Sequence, residues 1–245
     1  MKILLCASKT PDTTTKINFS SDKKAIESSS VQYILNPYDD HALARAMDIK
    51  EKHNGHLTII HVGDSSSESI LRKCLAVGAD EAIRMDSHPH DAYFVAQQIA
   101  EVVAGKEFDL ILTGRESIDF NGSQVCDLLG EMLNIPSIAF VTDIAINGNT
   151  FTLKRFIDGG EETVEVTAPV VLSATKELAE PRIPNMRGIM TARTKPIQVV
   201  PPTASSGLIE LNVFEPVAAK SGCIFIDAEE AGKLIDILHE KEKVI

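Results

Sequence analysis

The sequence with the clearest potential for ligand chemistry is TGRESIDFNGSQV, residues 113–125, in which a short apolar segment leads through a polar loop into a helical pattern. Unpaired N–H groups at a helix start attract anions, and the side chains of Ser117, Asn121 and Ser123 offer further hydrogen bonds to a phosphate or a ribose. The loop is not a Walker motif, and no G-x-G-x-x-G follows the first apolar segment. The pattern therefore predicts either a phosphate or ribose site or a loop that merely begins a helix.

A second candidate is LNPYDDHALARA, where another helical pattern begins. Pro37 restrains Asn36 to an extended conformation, and Asp39 or Asp40 is suited to cap the helix. The amide of Asn36 both donates and accepts hydrogen bonds, which would suit the edge of an adenine base. We expect a helix start here, with or without a contact to a nucleotide.

The sequence contains no evident catalytic set. Its seven histidines are dispersed, none beside a recognisable nucleophile, and neither G-x-S-x-G nor H-E-x-x-H occurs. The four cysteines are scattered without a C-x-x-C pair or zinc spacing, which predicts reduced, mostly buried thiols and no metal site. If this chain takes part in electron transfer, a bound cofactor must carry the electrons.

The elements that would position these residues alternate along the first 135 residues. Short apolar segments predict strands at 2–8, 57–63, 81–86 and 109–114. Apolar residues at helical spacing predict helices at 39–53, 66–79, 91–105 and 122–134. Such alternation is typical of an α/β fold with a doubly wound, mostly parallel sheet, whose ligands bind at the carboxyl ends of the strands. The strand ends that could hold a ligand are residues 7–9, 62–64 and 114–115.

Beyond Pro136 the pattern changes to alternating strands separated by Gly-containing turns. This predicts an antiparallel hairpin or small meander added to the sheet. Residues 196–208 are rich in Pro, Ser and Gly and are predicted to form a linker. A possible strand at 222–227 and a charged helix from Ala228 to about Glu242 follow.

Pattern and composition together indicate a cytoplasmic protein of two parts. The first is an α/β domain, residues 1–200, and the second is a C-terminal linker and arm, residues 201–245. The chain has 35 acidic and 24 basic residues, and its net charge of −11 argues against binding to nucleic acid. No apolar stretch approaches the roughly 20 residues of a membrane span, and the first residues do not resemble a signal peptide.

Several segments, taken in order, resemble the beta subunit of electron transfer flavoprotein, a family that includes the FixA-type proteins. They are KILLCASKTPD, LNPYDDHALARAMDIKEK, LRKCLAVGADEAIR, DLILTGRESIDFNGSQV, DGGEETVEVTAPVVLSAT and EPRIPNMRGIMTARTKP. The resemblance implies an adenine nucleotide alpha hydrolase-like fold and an electron carrier rather than an enzyme. It implies a heterodimer in which the alpha subunit holds most of the redox-active FAD and the C-terminal arm of this chain packs on that subunit. Flavin dehydrogenases such as acyl-CoA dehydrogenase are the further partners implied.

The resemblance also implies a nucleotide in this chain, at the strand ends and helix starts described above. The implied ligand is AMP, with a second FAD, bound through its AMP moiety, as the alternative. The implied cofactor-binding residues are Ala7, Asn36, Pro37, Tyr38, Asp39, Val62, Gly114, Arg115, Ser117, Asp119, Asn121, Gly122, Ser123, Gln124 and Val125. The segment DFNGSQVCD matches neither the loop usual in electron-bifurcating members nor the one usual in AMP-binding members, and Phe120 could narrow the pocket.

Residues 181–196 carry four cations and no anion, which is unusual in so acidic a chain. In the family, the region matching residues 176–190 is a recognition loop that docks a partner dehydrogenase. The resemblance assigns docking to Leu178, Pro181 and Arg182, with Leu178 as the projecting apolar anchor of a hot spot. The alternative is that Leu178 simply packs on the sheet. The segment NMRGIMTARTK is predicted to be a short helix whose cations lie near the alpha subunit or an acidic partner.

Two other functions use the same type of sheet. One is a nucleotide-binding sensor or adenylating protein related to universal stress proteins. Adenylating relatives usually carry an S-G-G-x-D-S type loop after the first strand, where this chain has CASKTPD. The other is a purely structural partner subunit with an empty pocket, an alternative that Phe120 and Cys126 favour.

Overall fold

The computed structural model describes residues 1–219 and 222–245. The strands are β1 (Lys2–Cys6), β2 (Lys9–Pro11), β3 (Tyr33–Leu35), β4 (His56–Val62), β5 (Glu81–Met85), β6 (Leu110–Gly114), β7 (Ser137–Asn147), β8 (Thr150–Ile157), β9 (Gly160–Thr167), β10 (Val170–Ala174) and β11 (Ile197–Val200). In these residues, nine strands form one sheet in the order β11-β5-β4-β1-β6-β10-β7-β8-β9. The strands from β11 to β7 are parallel, and β8 and β9 extend the sheet as an antiparallel meander. The predicted doubly wound sheet with an added hairpin is confirmed.

Six α-helices accompany the strands in the described residues. They are α1 (Pro37–His53), α2 (Glu68–Val77), α3 (Ala92–Val103), α4 (Val125–Leu133), α5 (Met186–Ala192) and α6 (Gly232–Asp236). The four helices predicted in the first half and the short helix after Asn185 are thus confirmed, with ends that differ by a few residues. Over the part of the chain that is described, no helix is long and apolar enough to span a bilayer.

The central strands are buried because helices cover both faces of the sheet. Alternate side chains of β1 face opposite layers: Leu5 packs with α1 and α2, and Leu4 packs with α3 and α4. This explains why β1, β4 and β6 are continuously apolar in sequence rather than alternating. The two-stranded sheet of β2 and β3, which no sequence pattern predicted, lies between β1 and α1 along the chain.

Two predictions for residues 196–227 are wrong. The predicted linker at 196–208 begins with a true strand, because residues 197–200 pair in parallel with β5 at the edge of the sheet. The predicted strand at 222–227 is not in a sheet, and its Ile224 and Phe225 are exposed. A strand without a neighbour leaves its backbone hydrogen bonds unmade, so an apolar segment alone does not form one. The helix predicted from Ala228 is present as a 3₁₀ turn, α6 and a final π-type turn.

The start of the C-terminal arm is fixed to α3. The amide of Gln98 exchanges two hydrogen bonds with the backbone of Thr203, at 2.8 and 3.2 Å. Asp91 caps α3 through Phe94 N with one carboxylate oxygen, at 2.7 Å. Its other oxygen accepts from the N–H groups of Leu208 and Ile209, at 2.5 and 2.9 Å. The arm therefore leaves the domain from a defined point.

Candidate functional site

The candidate site lies where the order of the strands reverses. From β1 the chain builds outward to β4 and β5 on one side, and then returns to place β6 on the other side of β1. In open α/β sheets, ligands bind at such a switch point, outside the carboxyl ends of the strands. Ala7, Ser8 and Gly114 stand at these ends, next to the start of α1.

Asp39 joins the ends of β1 and β6. Its carboxylate accepts from Ser8 N at 2.6 Å and from Gly114 N at 2.9 Å, and its side chain is only 2% exposed. Burial raises the pKa of Asp39 to about 7, although these hydrogen bonds favour the ionised form. The predicted role as a helix cap is wrong, because Asp39 lies inside the first turn and bonds to the strands instead. It fixes the start of α1 over the switch point.

Asn36 fixes the polar loop that follows β6. Its Nδ2 donates to Glu116 O at 2.8 Å, and its Oδ1 accepts from Ile118 N at 3.2 Å. The residue is fully buried. The Asn36 amide, for which the sequence allowed a contact to an adenine edge, is engaged within the chain, because the same two atoms satisfy the backbone of the loop.

Gly114 allows α1 and β6 to approach each other closely. A Cβ atom at this position would collide with Asp39 Oδ1 and lie 2.9 Å from Tyr38 Cβ and 3.0 Å from Asp39 N. Only glycine leaves room for this arrangement. Pro37 occupies the first turn of α1, where its missing N–H and fixed φ are favourable. The predicted site residues Pro37, Tyr38, Asp39 and Gly114 are therefore neighbours.

The loop between β6 and α4 turns back on itself and presents backbone N–H groups. Asn121 N donates to Ser117 O at 2.8 Å, and both Asn121 and Ser123 have left-handed backbones, with φ of 52° and 50°. Asn121, Gly122 and Gln124 are exposed. Among the described residues, no side chain caps the start of α4 after Gln124. The first N–H groups of α4 thus have no side-chain acceptor among the described residues, an arrangement that suits an anion.

An acidic residue that the sequence analysis overlooked lies within this loop. Glu116 Oε2 accepts from Ser123 Oγ at 2.8 Å, and Glu116 Oε1 accepts from Asn121 Nδ2 at 3.4 Å. Asp119, by contrast, is exposed and accepts only from the neighbouring Phe120 N, at 3.1 Å. Phe120 itself is exposed. The sequence feature that could have pointed to Glu116 is its carboxylate, two residues after the glycine that ends β6.

Arg115 is held beside two aromatic rings. Its guanidinium carbon lies 5.1 Å from the ring centre of Phe140 and 6.0 Å from that of Tyr38, distances typical of cation–π contacts. Phe140 has a left-handed backbone, with φ of 62°, which is unusual for a bulky residue. Its N–H donates to Ser173 Oγ at 2.9 Å. Sequence reasoning did not find Phe140, because its contribution depends on the β-bulge in this part of β7 and β10.

Ala7 and Val62 end the neighbouring strands β1 and β4 and are both buried. Ala7 N donates to Ile60 O at 2.8 Å, and Ala7 O accepts from His61 Nδ1 at 2.8 Å. Burial lowers the pKa of His61 to about 4, so the imidazole is neutral at pH 7. These residues can offer a small, apolar wall to a ligand but no charge.

The proposed docking residues are arranged differently from the expectation. Leu178 is only 4% exposed and packs in the main core, so it is not a projecting anchor. Arg182 is bonded to Glu51 at 2.6 Å and also to Asp48, and these carboxylates raise its pKa. It therefore ties the loop to α1 rather than offering a free cation. Pro181 is exposed, and the projecting apolar side chain of the loop is Ile183, which is 94% exposed.

Other concave regions carry less chemistry. A shallow cleft of about 520 Å³ runs along α4, from Asp127 in its first turn to Ser137 beyond its end. The acidic side chains of Asp127 and Glu131 in its lining would oppose an anion. Among the described residues, no three His, Cys, Asp or Glu side chains form a group that could hold a metal ion.

Comparison with known proteins gives a consistent result. Residues 24–205 match the family described as "Electron transfer flavoprotein domain". The chain is 33% identical to the electron transfer flavoprotein subunit beta of Bacillus subtilis, over the full length of both chains. It is 32% identical to the subunit of the same name from Syntrophomonas wolfei, over 100% of this chain and 98% of the relative. It is 33% identical to the caffeyl-CoA reductase-Etf complex subunit CarD of Acetobacterium woodii, over 81% of this chain and 78% of the relative.

Proposed function

The chain belongs to the electron transfer flavoprotein family, and on that premise we propose that it is the beta subunit of a heterodimer that carries electrons between a flavin dehydrogenase and a further acceptor. Family membership assigns it to electron transport. The proposal adds a specific partner, the alpha subunit, and a specific ligand, an adenine nucleotide. It also places the complex in the cytoplasm, where free thiols such as the buried Cys6 and Cys74 stay reduced.

The observation that carries the proposal is the uncapped start of α4 beside the switch point of the sheet. Backbone N–H groups there suit a phosphate. Ala7 and Val62 at the neighbouring strand ends provide an apolar wall for a base. These donors fit the AMP moiety of a nucleotide, either as AMP itself or as part of a second FAD.

We propose that this chain positions cofactors and does not itself perform redox chemistry. Burial raises the pKa values of Cys6 and Cys74, so these thiols are inert at pH 7. Redox chemistry is supplied by FAD, which the alpha subunit is proposed to hold for the most part. The residues of this chain would bind and orient nucleotide phosphate and shape the surface on which the alpha subunit rests.

Two surfaces are proposed to meet protein partners. The C-terminal arm exposes large apolar side chains, among them Val217 at 96% and Phe225 at 94%, which we assign to the alpha subunit. The loop before α5 exposes Ile183, α5 exposes Met186 and Arg187, and Arg193 is exposed just after the helix. We assign this loop to a flavin dehydrogenase of the acyl-CoA dehydrogenase class, with Ile183 replacing Leu178 as the apolar anchor.

Co-expression with the cognate alpha subunit tests the assignment. We expect a yellow complex whose mass, measured by light scattering after size-exclusion chromatography, corresponds to one copy of each subunit. A colourless chain that elutes apart from the alpha subunit would overturn the proposed function. Single-turnover transfer of electrons from a reduced acyl-CoA dehydrogenase to the complex then tests the partner class.

A further inference from the structure

Glu116 occupies the part of the loop that a phosphate would need. Its carboxylate accepts from Ser123 Oγ at 2.8 Å and lies 3.4 Å from Asn121 Nδ2, and it is largely shielded from solvent. Ser123 and Asn121 are side-chain donors placed just before the open start of α4. The chain thus supplies its own anion to donors that a phosphate oxygen would otherwise use.

Positive charge around this carboxylate is sparse. The nearest cation is Arg115, whose Nε lies 3.9 Å from Glu116 Oε1 while its guanidinium rests against Phe140. Arg115 can balance one negative charge, and Glu116 already provides it. Asp119 adds a further carboxylate on the exposed side of the loop. A phosphate bound here would meet a site with no surplus of positive charge.

The carboxylate of Glu116 is not what holds the loop in shape. The loop is fixed by Asn36, which binds Glu116 O and Ile118 N, and by the backbone bond from Asn121 N to Ser117 O. These bonds involve no charge on Glu116. Replacement of the carboxylate by an amide of the same size leaves an oxygen to accept from Ser123, so the loop should keep its conformation.

We infer that Glu116 is a specificity residue that selects against a doubly charged phosphate monoester and favours the singly charged phosphate of a phosphodiester. A phosphate monoester carries between one and two negative charges at pH 7 because its second pKa is near 6. A phosphodiester, whose phosphate is esterified twice, carries one negative charge. Repulsion from a partly buried carboxylate acts more strongly on the first than on the second. The inference rests on the proposed nucleotide site.

Binding of two closely matched ligands to the heterodimer tests the inference. Adenosine 5′-monophosphate and its methyl ester differ by one charge and one methyl group, and both can be titrated by calorimetry into heterodimer stripped of its beta-site nucleotide. We expect the wild-type complex to bind the methyl ester about tenfold more tightly than AMP, and Glu116→Gln to reduce that ratio to about threefold or less. Glu131→Gln, which removes an exposed charge at the far end of α4, should leave the ratio as in the wild type.

Each outcome decides between the two proposals. A preference of the wild type for AMP, or a ratio that Glu116→Gln leaves unchanged, would overturn the selective role of Glu116 while the nucleotide site stands. Binding of neither ligand, nor of adenosine, to either form would overturn both the inference and the proposed site. Should Glu116→Gln fail to fold, a wild-type complex that binds AMP at least as tightly as the methyl ester would still overturn the inference.

Discussion

The crevice at the switch point, between the ends of β1 and β6, differs from the outer loops of this chain in the kind of side chain that each presents. In the crevice, the buried side chains of Asp39 and Asn36 bond to backbone atoms of the same chain. On the arm and on the loop before α5, large apolar side chains such as Phe225 and Ile183 face solvent. A buried hydrogen-bonded crevice can hold a small ligand unaided, whereas exposed apolar segments become stable only against another protein. On the proposed function, the first is a site that the chain completes itself and the second are surfaces that a partner completes.

The strongest way to break the crevice is Gly114→Ala. Because a Cβ would collide with Asp39 Oδ1 and press on backbone, α1 must move away from β6. We expect a loss of about 3 kcal/mol in the free energy of unfolding, measured by urea titration, together with loss of bound nucleotide. Gly160→Ala, where a Cβ meets nothing within 4 Å, is the matched control and should change stability little.

A change confined to the C-terminal arm should weaken binding of the alpha subunit and leave the stability of the chain nearly unchanged. In Val217→Asp with Phe225→Asp, two exposed apolar residues become charged. We expect about a 100-fold loss of affinity for the alpha subunit, measured by surface plasmon resonance, because each residue is proposed to lie in the interface. The isolated chain should unfold within about 0.5 kcal/mol of the wild type. Unchanged affinity would remove the arm from the interface.

Asp39→Asn tests the two hydrogen bonds by which the Asp39 carboxylate joins the ends of β1 and β6. An amide offers one acceptor where two N–H groups point at the side chain, so we expect a loss of about 2 kcal/mol in the free energy of unfolding. The pKa of about 7 lies above the ordinary value of 3.8, so the native chain retains a proton that the unfolded chain loses. The stability that this proton provides is complete below about pH 4 and is lost as the pH rises to about 7. Urea titrations at pH 5 and pH 8 should show this decline in the wild type and less of it in Asp39→Asn, whereas Asp236→Asn should behave as the wild type.

The smallest expected effect distinguishes the exposed Ile183 from the buried Leu178, both in the recognition loop. Ile183→Ala should slow electron transfer from the partner dehydrogenase about tenfold and leave the unfolding curve unchanged, because the side chain is exposed. Leu178→Ala should instead lower stability by 2 kcal/mol or more, by leaving a cavity in the core. If transfer slowed only in Leu178→Ala, at equal folded fractions, the assignment of Ile183 would be wrong.

The comparison also shows what the sequence could predict. Continuous apolar runs and helical spacing identified β1, β4, β6 and the first four helices, because local patterns report burial directly. The rule for switch points predicted a ligand site at the ends of β1 and β6, and that site stays a prediction. The wrong predictions at Asp39 and Leu178 share one cause: a sequence shows that a residue can bond or pack, but not which partner it meets. Glu116 and Phe140 were missed for the same reason, since their roles depend on contacts across the loop and the sheet.

The nucleotide content of the purified heterodimer tests the central claim most directly. Acid extraction followed by chromatography counts the nucleotides that each complex contains. The account predicts one FAD assigned to the alpha subunit and, in addition, one adenine nucleotide per heterodimer, which Gly114→Ala should remove selectively. A heterodimer with a single FAD and no second adenine nucleotide would contradict the claim that the crevice between β1 and β6 is a nucleotide site.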